Sequence, residues 1–294
     1  MENFECRYYT KLDGGVVECG LCPHRCRIAD GRTGRCRSRR NIGGLLVSDV
    51  YGRPCALAID PVEKKPLYHF HPGTQCLSLA CTGCNFSCLN CQNHDISQAR
   101  PADVPAYRLS PADVVALCEK HNCPGIAYTY TEPLTWLEYM ADTAKMAREH
   151  GLWNILVTAG YVCAEPLADL LPYIDAANVD IKSFSDDVYR RVSGGRLNVV
   201  LDTVLAMRDA GVWIEITNLL IPGVNDDMDM VRSLCRWMTA NGLKEAPLHF
   251  SRFFPQYRMA DLPPTPLKTL KMAREVARGE GIVNVYLGNV PQGM

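Results

Sequence analysis

Cys84-Asn-Phe-Ser-Cys88-Leu-Asn-Cys91-Gln-Asn93 sets three cysteines at the spacing C-x3-C-x2-C. Thiolates are soft ligands that select iron–sulfur clusters, zinc or copper(I). A 4Fe-4S cluster normally takes four cysteines. Three in one tight loop leave one iron open for a ligand that does chemistry, as catalytic metal sites generally do. A structural zinc knuckle, or chance proximity in a chain with 15 cysteines, is the alternative that the short motif alone leaves standing.

Working outward, the bulk of the chain sets bounds. Its 294 residues suit one large α/β domain with a small appendage, and are enough to bury a sizeable core. A formal net charge of −1 argues against a partner bound by charge alone, so nucleic acid is not expected. The first ten residues lack the apolar core of a signal peptide, and no run approaches a membrane span. A cytoplasmic protein is expected, in which the cysteines are metal ligands and reduced thiols rather than disulfides.

Residues 1–50 form the first expected unit, a cysteine-rich metal-binding one. Cys19, Cys22, Cys26 and Cys36 read C-x2-C-x3-C-x9-C, a complete ligand set for tetrahedral zinc or for a second 4Fe-4S cluster. Only one C-x2-C knuckle is present where a zinc ribbon shows two, so the cluster is favoured over zinc. Unliganded thiols are the remaining possibility. A hairpin is expected over 28–46, with turns at Asp30-Gly31 and Gly43-Gly44. Arg25, Arg27, Arg32, Arg35, Arg37, Arg39 and Arg40 surround this set against one acid, Asp30. Such a face suits an acidic electron donor, RNA, or simply solvent.

Residues 51–73 are expected to link this unit to the rest, 74–294. A first strand over 74–80 delivers the cysteine loop from its C-terminal end; Cys76 falls within it as a packing residue, and Cys81 is ambiguous. Ser110-Pro111 marks a helix start. Apolar strand-like runs then follow at 125–130, 153–158, 177–181, 212–217, 248–251 and 282–287. They alternate with helix-period stretches at 133–150, 165–171, 198–209, 228–240 and 266–278. Alternation of this kind means parallel strands joined by right-handed crossovers. In such a fold the site lies at the C-terminal strand ends. Those ends carry Tyr130-Thr131-Glu132-Pro133, Thr158, Asp180-Ile-Lys182, Asn218 with Pro222-Gly223 beyond it, and His249.

With these motifs in place, the chain resembles the radical S-adenosylmethionine (SAM) superfamily. Within it, the chain is similar to pyruvate formate-lyase activating enzymes and, more narrowly, to the radical SAM component of the AmmeMemoRadiSam system. The resemblance spans almost the full length. It includes the four-cysteine unit, Asp60-Pro-Val-Glu-Lys-Lys-Pro-Leu-Tyr-His-Phe, the cysteine loop, Thr-Glu-Pro, Asp-Ile-Lys and Ile-Pro-Gly-Val-Asn. It implies a partial (β/α)6 TIM-type barrel with the N-terminal unit and a C-terminal extension. It also implies a 4Fe-4S cluster on Cys84, Cys88 and Cys91 that binds SAM at its open iron and cleaves it to a 5′-deoxyadenosyl radical. Glu132 resembles the residue that meets the SAM ammonium group, with Tyr130 and Thr131 beside it. Asp180 and Lys182 resemble a pair that handles the ribose and carboxylate, and His249 a histidine near SAM. Asn93, Thr158 and Asn218 complete the expected cofactor contacts; Lys182 and His249 are the candidates for a catalytic role. Two departures stand out: Asn90 replaces the usual aromatic that touches adenine, and Ala159 stands where Asn often precedes the glycine.

The implied partners are a flavodoxin- or ferredoxin-type donor and the Memo-type and AMMECR-type proteins. The substrate is a protein, a peptide or a small molecule. An RNA-modifying radical SAM enzyme and a non-catalytic iron–sulfur electron carrier are the competing readings.

Overall fold

The computed structural model describes residues 4–291. Eight strands form one open sheet: β1 (Ala56–Pro61), β2 (Gln75–Ala80), β3 (Gly125–Tyr128), β4 (Trp153–Thr158), β5 (Ala176–Asp180), β6 (Trp213–Leu220), β7 (Leu248–Arg252) and β8 (Val285–Gly288). Their order in the sheet is their order in the chain. From β2 to β8 every neighbour pair is parallel, and β1 adds antiparallel along the β2 edge. The sheet curls without closing, so the expected partial barrel is what forms, and β8 with the helix before it is the C-terminal extension. One difference concerns the stretch expected to be a linker. Ala56–Pro61 lies within it and is a full strand, its alternation hidden by Asp60 and Pro61.

The parallel strands are nearly continuously buried, as strands covered on both faces must be. Helices α1 (Pro111–Lys120), α2 (Leu137–Glu149), α3 (Ala164–Leu170), α4 (Leu197–Asp209), α5 (Met228–Ala240) and α6 (Leu267–Gly279) cover the outside. Ser110 does start α1: its hydroxyl accepts from the Asp113 amide, and the Asp113 carboxylate accepts from the Ser110 amide. On α5, Val231, Leu234, Cys235 and Met238 form the buried stripe, at the spacing that puts side chains on one helix face.

The N-terminal residues form two three-stranded sheets. Arg39–Ile42 and Leu45–Ser48 make the hairpin around Gly43-Gly44, while Arg27–Ile28 pairs in the other sheet, with Val17–Cys19. The expected hairpin is therefore split between two sheets. Both are pinned to the barrel by polar contacts. Arg39 and Glu138 form a buried ion pair at 2.6 Å, Tyr51 Oη donates to Asp142 at 2.8 Å, and Tyr8 Oη donates to Asp169 at 2.7 Å. None of the fifteen cysteines is joined in a disulfide. Among the described residues no helix is long and apolar enough to cross a membrane.

The segment between β1 and β2 plugs the N-terminal end of the barrel. Lys65, 1% exposed, bonds Asp60 at 2.7 Å, and Pro66 O accepts from Asn178. Glu215, fully buried on β6, accepts from the Tyr68 amide at 2.9 Å, the His69 amide at 2.8 Å and His249 Nε2 at 2.7 Å. Burial alone would raise the Glu215 carboxyl; these hydrogen bonds outweigh it and hold it below the ordinary glutamate value. Its stabilisation is therefore present above the unfolded-state value of about 4.3 and is lost as pH falls through the lower folded value. Glu215→Gln is expected to cost about 1–3 kcal/mol at neutral pH. It should also flatten the acid-side loss of stability, read as urea midpoints from about pH 6 down to about pH 3.

Candidate cluster and cofactor site

The cysteine loop leaves the C-terminal end of β2 and has no sheet partner of its own, so its backbone groups are satisfied by distant segments. The Gly83 amide donates to Ile96 O at 3.0 Å, the Ser87 amide to Ser193 O at 3.0 Å and the Leu89 amide to Val192 O at 2.9 Å. Ser193 ends a single wide helical turn, Tyr189–Ser193, which is followed by Gly194 and Gly195. Phe86 lies so close over Gly195 that a Cβ there would overlap its ring. Nothing in the sequence patterning marks residues 189–195 as a cradle for the loop; the paired glycines are the one signal that was available.

Cys84, Cys88 and Cys91 line one cavity of about 750 Å³, open to solvent. Asn90, Asn93, Tyr130, Thr131, Thr158, Asp180 and Lys182 line it too, together with Leu219 and Ser97, which the sequence did not suggest. An adjoining recess of about 340 Å³ shares Asn90, Asp180, Lys182 and Leu219 and adds Ser183, Ile221 and Val224. The Pro222-Gly223 turn thus contributes through its flanking side chains.

The cavity wall is polarised. Lys182 Nζ bonds Asp180 Oδ2 at 2.6 Å, and Asp180 Oδ1 is buried with no partner. Burial would lower the Lys182 ammonium pKa, but Asp180 and the neighbouring Cys88 outweigh it and keep the group protonated. Cys84 Sγ accepts from the Phe86 amide at 3.3 Å, and Cys91 Sγ lies 3.2 Å from Ser97 Oγ. Burial pushes the Cys84 thiol well above its ordinary value; Cys88 is raised by burial too, partly offset by Lys182 and Ser193. Such thiols give up their protons only to a metal, and then bind it as thiolates. Tyr130 holds a positive φ of 67° and donates its hydroxyl to Asp60 at 3.1 Å. A non-glycine residue in that region is uncommon and is found where the surroundings enforce it.

The three thiols border a common space, as the three cysteine ligands of one cluster must. An unpartnered Asp180 oxygen on the same wall fits a ligand rich in hydroxyl donors. The residues present therefore fit a cluster with a nucleotide beside it.

Three expected contacts lie elsewhere. Glu132 is fully buried and accepts from Thr158 Oγ1 at 2.5 Å, the Ala159 amide at 2.8 Å and the Leu134 amide at 3.2 Å. It ties the ends of β3 and β4 together instead of facing the cavity. Asn218 donates to Ile181 O at 2.6 Å and is likewise outside the lining. His249 is a correction in position: as the second residue of β7 it sits at the opposite end of the barrel, against Glu215 and the rings of Tyr68 and Tyr286. Cys76 packs in β2 as expected, and Cys81 is buried against Val50 O.

Residues 79–235 match the radical SAM superfamily. An uncharacterized protein of Methanocaldococcus jannaschii is 47% identical over 98% of this chain and 85% of its own length. The 4-hydroxyphenylacetate decarboxylase activating enzyme of Clostridium scatologenes is 24% identical over 57% of this chain; the match spans 55% of that enzyme, about half its length. The structure of Streptococcus suis SuiB with a precursor peptide superposes with a TM-score of 0.58 at 11% identity, over 78% of this chain and 52% of SuiB. The cysteine loop at the end of β2 and the family match over the barrel agree, and the chain belongs to the radical SAM superfamily as an enzyme similar to glycyl-radical-enzyme activating enzymes.

Proposed function

We propose that this enzyme cleaves SAM reductively beside Cys84, Cys88 and Cys91, and that the 5′-deoxyadenosyl radical takes a hydrogen atom from a protein, peptide or small-molecule substrate, as an activase does. The observation that carries this is the opening of the three thiols and the Asp180–Lys182 pair into one cavity. When bound, the 4Fe-4S cluster supplies the electron that breaks the sulfonium carbon–sulfur bond.

The chain's own residues bind and orient. Asp180 Oδ1, lacking any partner, accepts from a ribose hydroxyl, and protonated Lys182 faces the SAM carboxylate. Asn90 borders both cavity and recess and offers a carboxamide donor and acceptor to adenine where relatives use a ring. Asn93, Tyr130, Thr131 and Thr158 complete the wall. Glu132, spent on the strand ends, positions this wall rather than touching the cofactor. The small recess beside the cavity, with Ser183, Leu219, Ile221 and Val224, also carries Asp180 and Lys182 and so extends the same wall. Cys19, Cys22, Cys26 and Cys36 hold a second metal group, a cluster in preference to zinc. A flavodoxin- or ferredoxin-type donor supplies electrons, and Memo-type and AMMECR-type proteins are the partners implied by the resemblance.

Anaerobically reconstituted enzyme reduced with dithionite is expected to release 5′-deoxyadenosine from SAM. A Cys84→Ala/Cys88→Ala/Cys91→Ala variant should release none, and a fully iron-loaded wild-type protein that makes no 5′-deoxyadenosine would end the proposal. Asp180→Ala should weaken SAM binding about fivefold, measured by equilibrium dialysis, since one buried hydrogen bond contributes on the order of 1 kcal/mol. Glu132→Gln should instead lower stability by about 1–3 kcal/mol in a denaturant titration, because it mispairs a buried amide.

A further inference from the structure

Cys19, Cys22, Cys26 and Cys36 line a second, small cavity with His24, Arg39 and Asn85. Asn85 is 2% exposed, and its Oδ1 is buried without a partner. Arg39, 1% exposed, lies on the same wall with its guanidinium paired to Glu138.

This cavity is joined to the first by the cysteine loop itself. Asn85 lines the second cavity, while the preceding residue, Cys84, lines the first. His24, between Cys22 and Cys26 in the chain, bonds Asn85 O at 2.9 Å. Gly83, at a φ of +102°, lies against the Cys36 carbonyl so closely that no side chain fits between them.

A third feature lies on the same path. His24 and Arg35 also border an open cleft of about 730 Å³, with Tyr161, Arg190 and Arg196 on its far side. Arg190 is paired with Asp186 at 2.6 Å, whereas Arg35 and Arg196 have no carboxylate partner among the described residues. The seven N-terminal arginines do not form one uniform face. Arg27, Arg39 and Arg40 are held by Glu18, Glu138 and Asp49, and Arg37 donates to Gln98; of the remaining three, Arg35 borders the cleft.

We propose that the N-terminal quartet is the electron entry port of this enzyme. Its cluster is reduced by an acidic one-electron carrier protein docked on Arg35, Arg190 and Arg196, and His24–Asn85 is the path to the Cys84 loop. The inference rests on the SAM-cleaving reading above. The step balances without bond changes: the carrier loses one electron, the quartet's cluster gains and then loses it, and the Cys84 site receives it. Zinc, with no redox chemistry, could not serve. Charge complementarity selects an acidic carrier and speeds encounter, an effect that falls with ionic strength.

Two measurements on full-length reconstituted protein test this. In the Cys84→Ala/Cys88→Ala/Cys91→Ala variant, about four irons and a reducible electron paramagnetic resonance signal should remain; zinc in place of iron would overturn the proposal. In stopped flow, the rate of cluster reduction by reduced flavodoxin, divided by that with dithionite, should fall about tenfold or more in Arg196→Glu. It should be kept in Arg196→Lys, and should fall with salt in the wild type. An unchanged ratio in Arg196→Glu would overturn the docking site, as would a wild-type flavodoxin rate that does not change with salt. These rates are read without SAM, so failure of 5′-deoxyadenosine formation under dithionite would count against the SAM-cleaving reading alone.

Discussion

A loop that must present three sulfurs to one space cannot also hold itself in place. Residues 83–91 have no strand partner, and buried backbone groups without hydrogen bonds are costly. Here amides and carbonyls of the loop are met by residues 192–193, by Ile96, by His24 and, at Leu89 O, by the Arg258 amide. These partners come from the N-terminal sheets, from the turn before α4 and from the segment after β7. The site therefore exists only when the whole chain has folded around it, and the two glycines at 194–195 are needed because Phe86 takes the space a side chain would fill.

The two ends of the barrel divide the polar residues between them. At the N-terminal end, Asp60, Lys65, Glu215 and His249 are fully engaged with one another or with the plug, and they close the barrel. At the C-terminal end, Asp180 keeps an oxygen free and Lys182 keeps its charge. The contrast separates buried charge that stabilises a fold from buried charge reserved for a ligand. Tyr130 connects the two, with its ring on the cavity and its hydroxyl on Asp60.

Much of this was legible in the chain. The helix 228–240 and the strand 153–158 have the expected bounds, because their apolar periodicity is clean and their ends carry strong stop signals. Of the expected cofactor contacts, Asn93, Tyr130, Thr131, Thr158, Asp180 and Lys182 do gather on the cavity. His249 did not, because it is the second residue of a parallel strand and so stands near that strand's N-terminal end, where its imidazole meets Glu215. Glu132 is at the predicted strand end, yet its carboxylate is consumed locally by amides that no pattern reveals. The strand Ala56–Pro61 was missed since an edge strand ending in Asp-Pro carries turn chemistry rather than strand chemistry.

The sequence by itself determined the alternating architecture, the three-thiol loop and its likeness to a family, since periodicity and short spacings are properties of neighbouring residues. Only the tertiary structure decided which polar groups face the cavity, that Asn85 and Cys84 look into two different cavities, and that His24 and Arg35 stand between one of these and a basic cleft. Those relations join residues far apart in the chain, and the register and packing that set them are fixed when the elements meet.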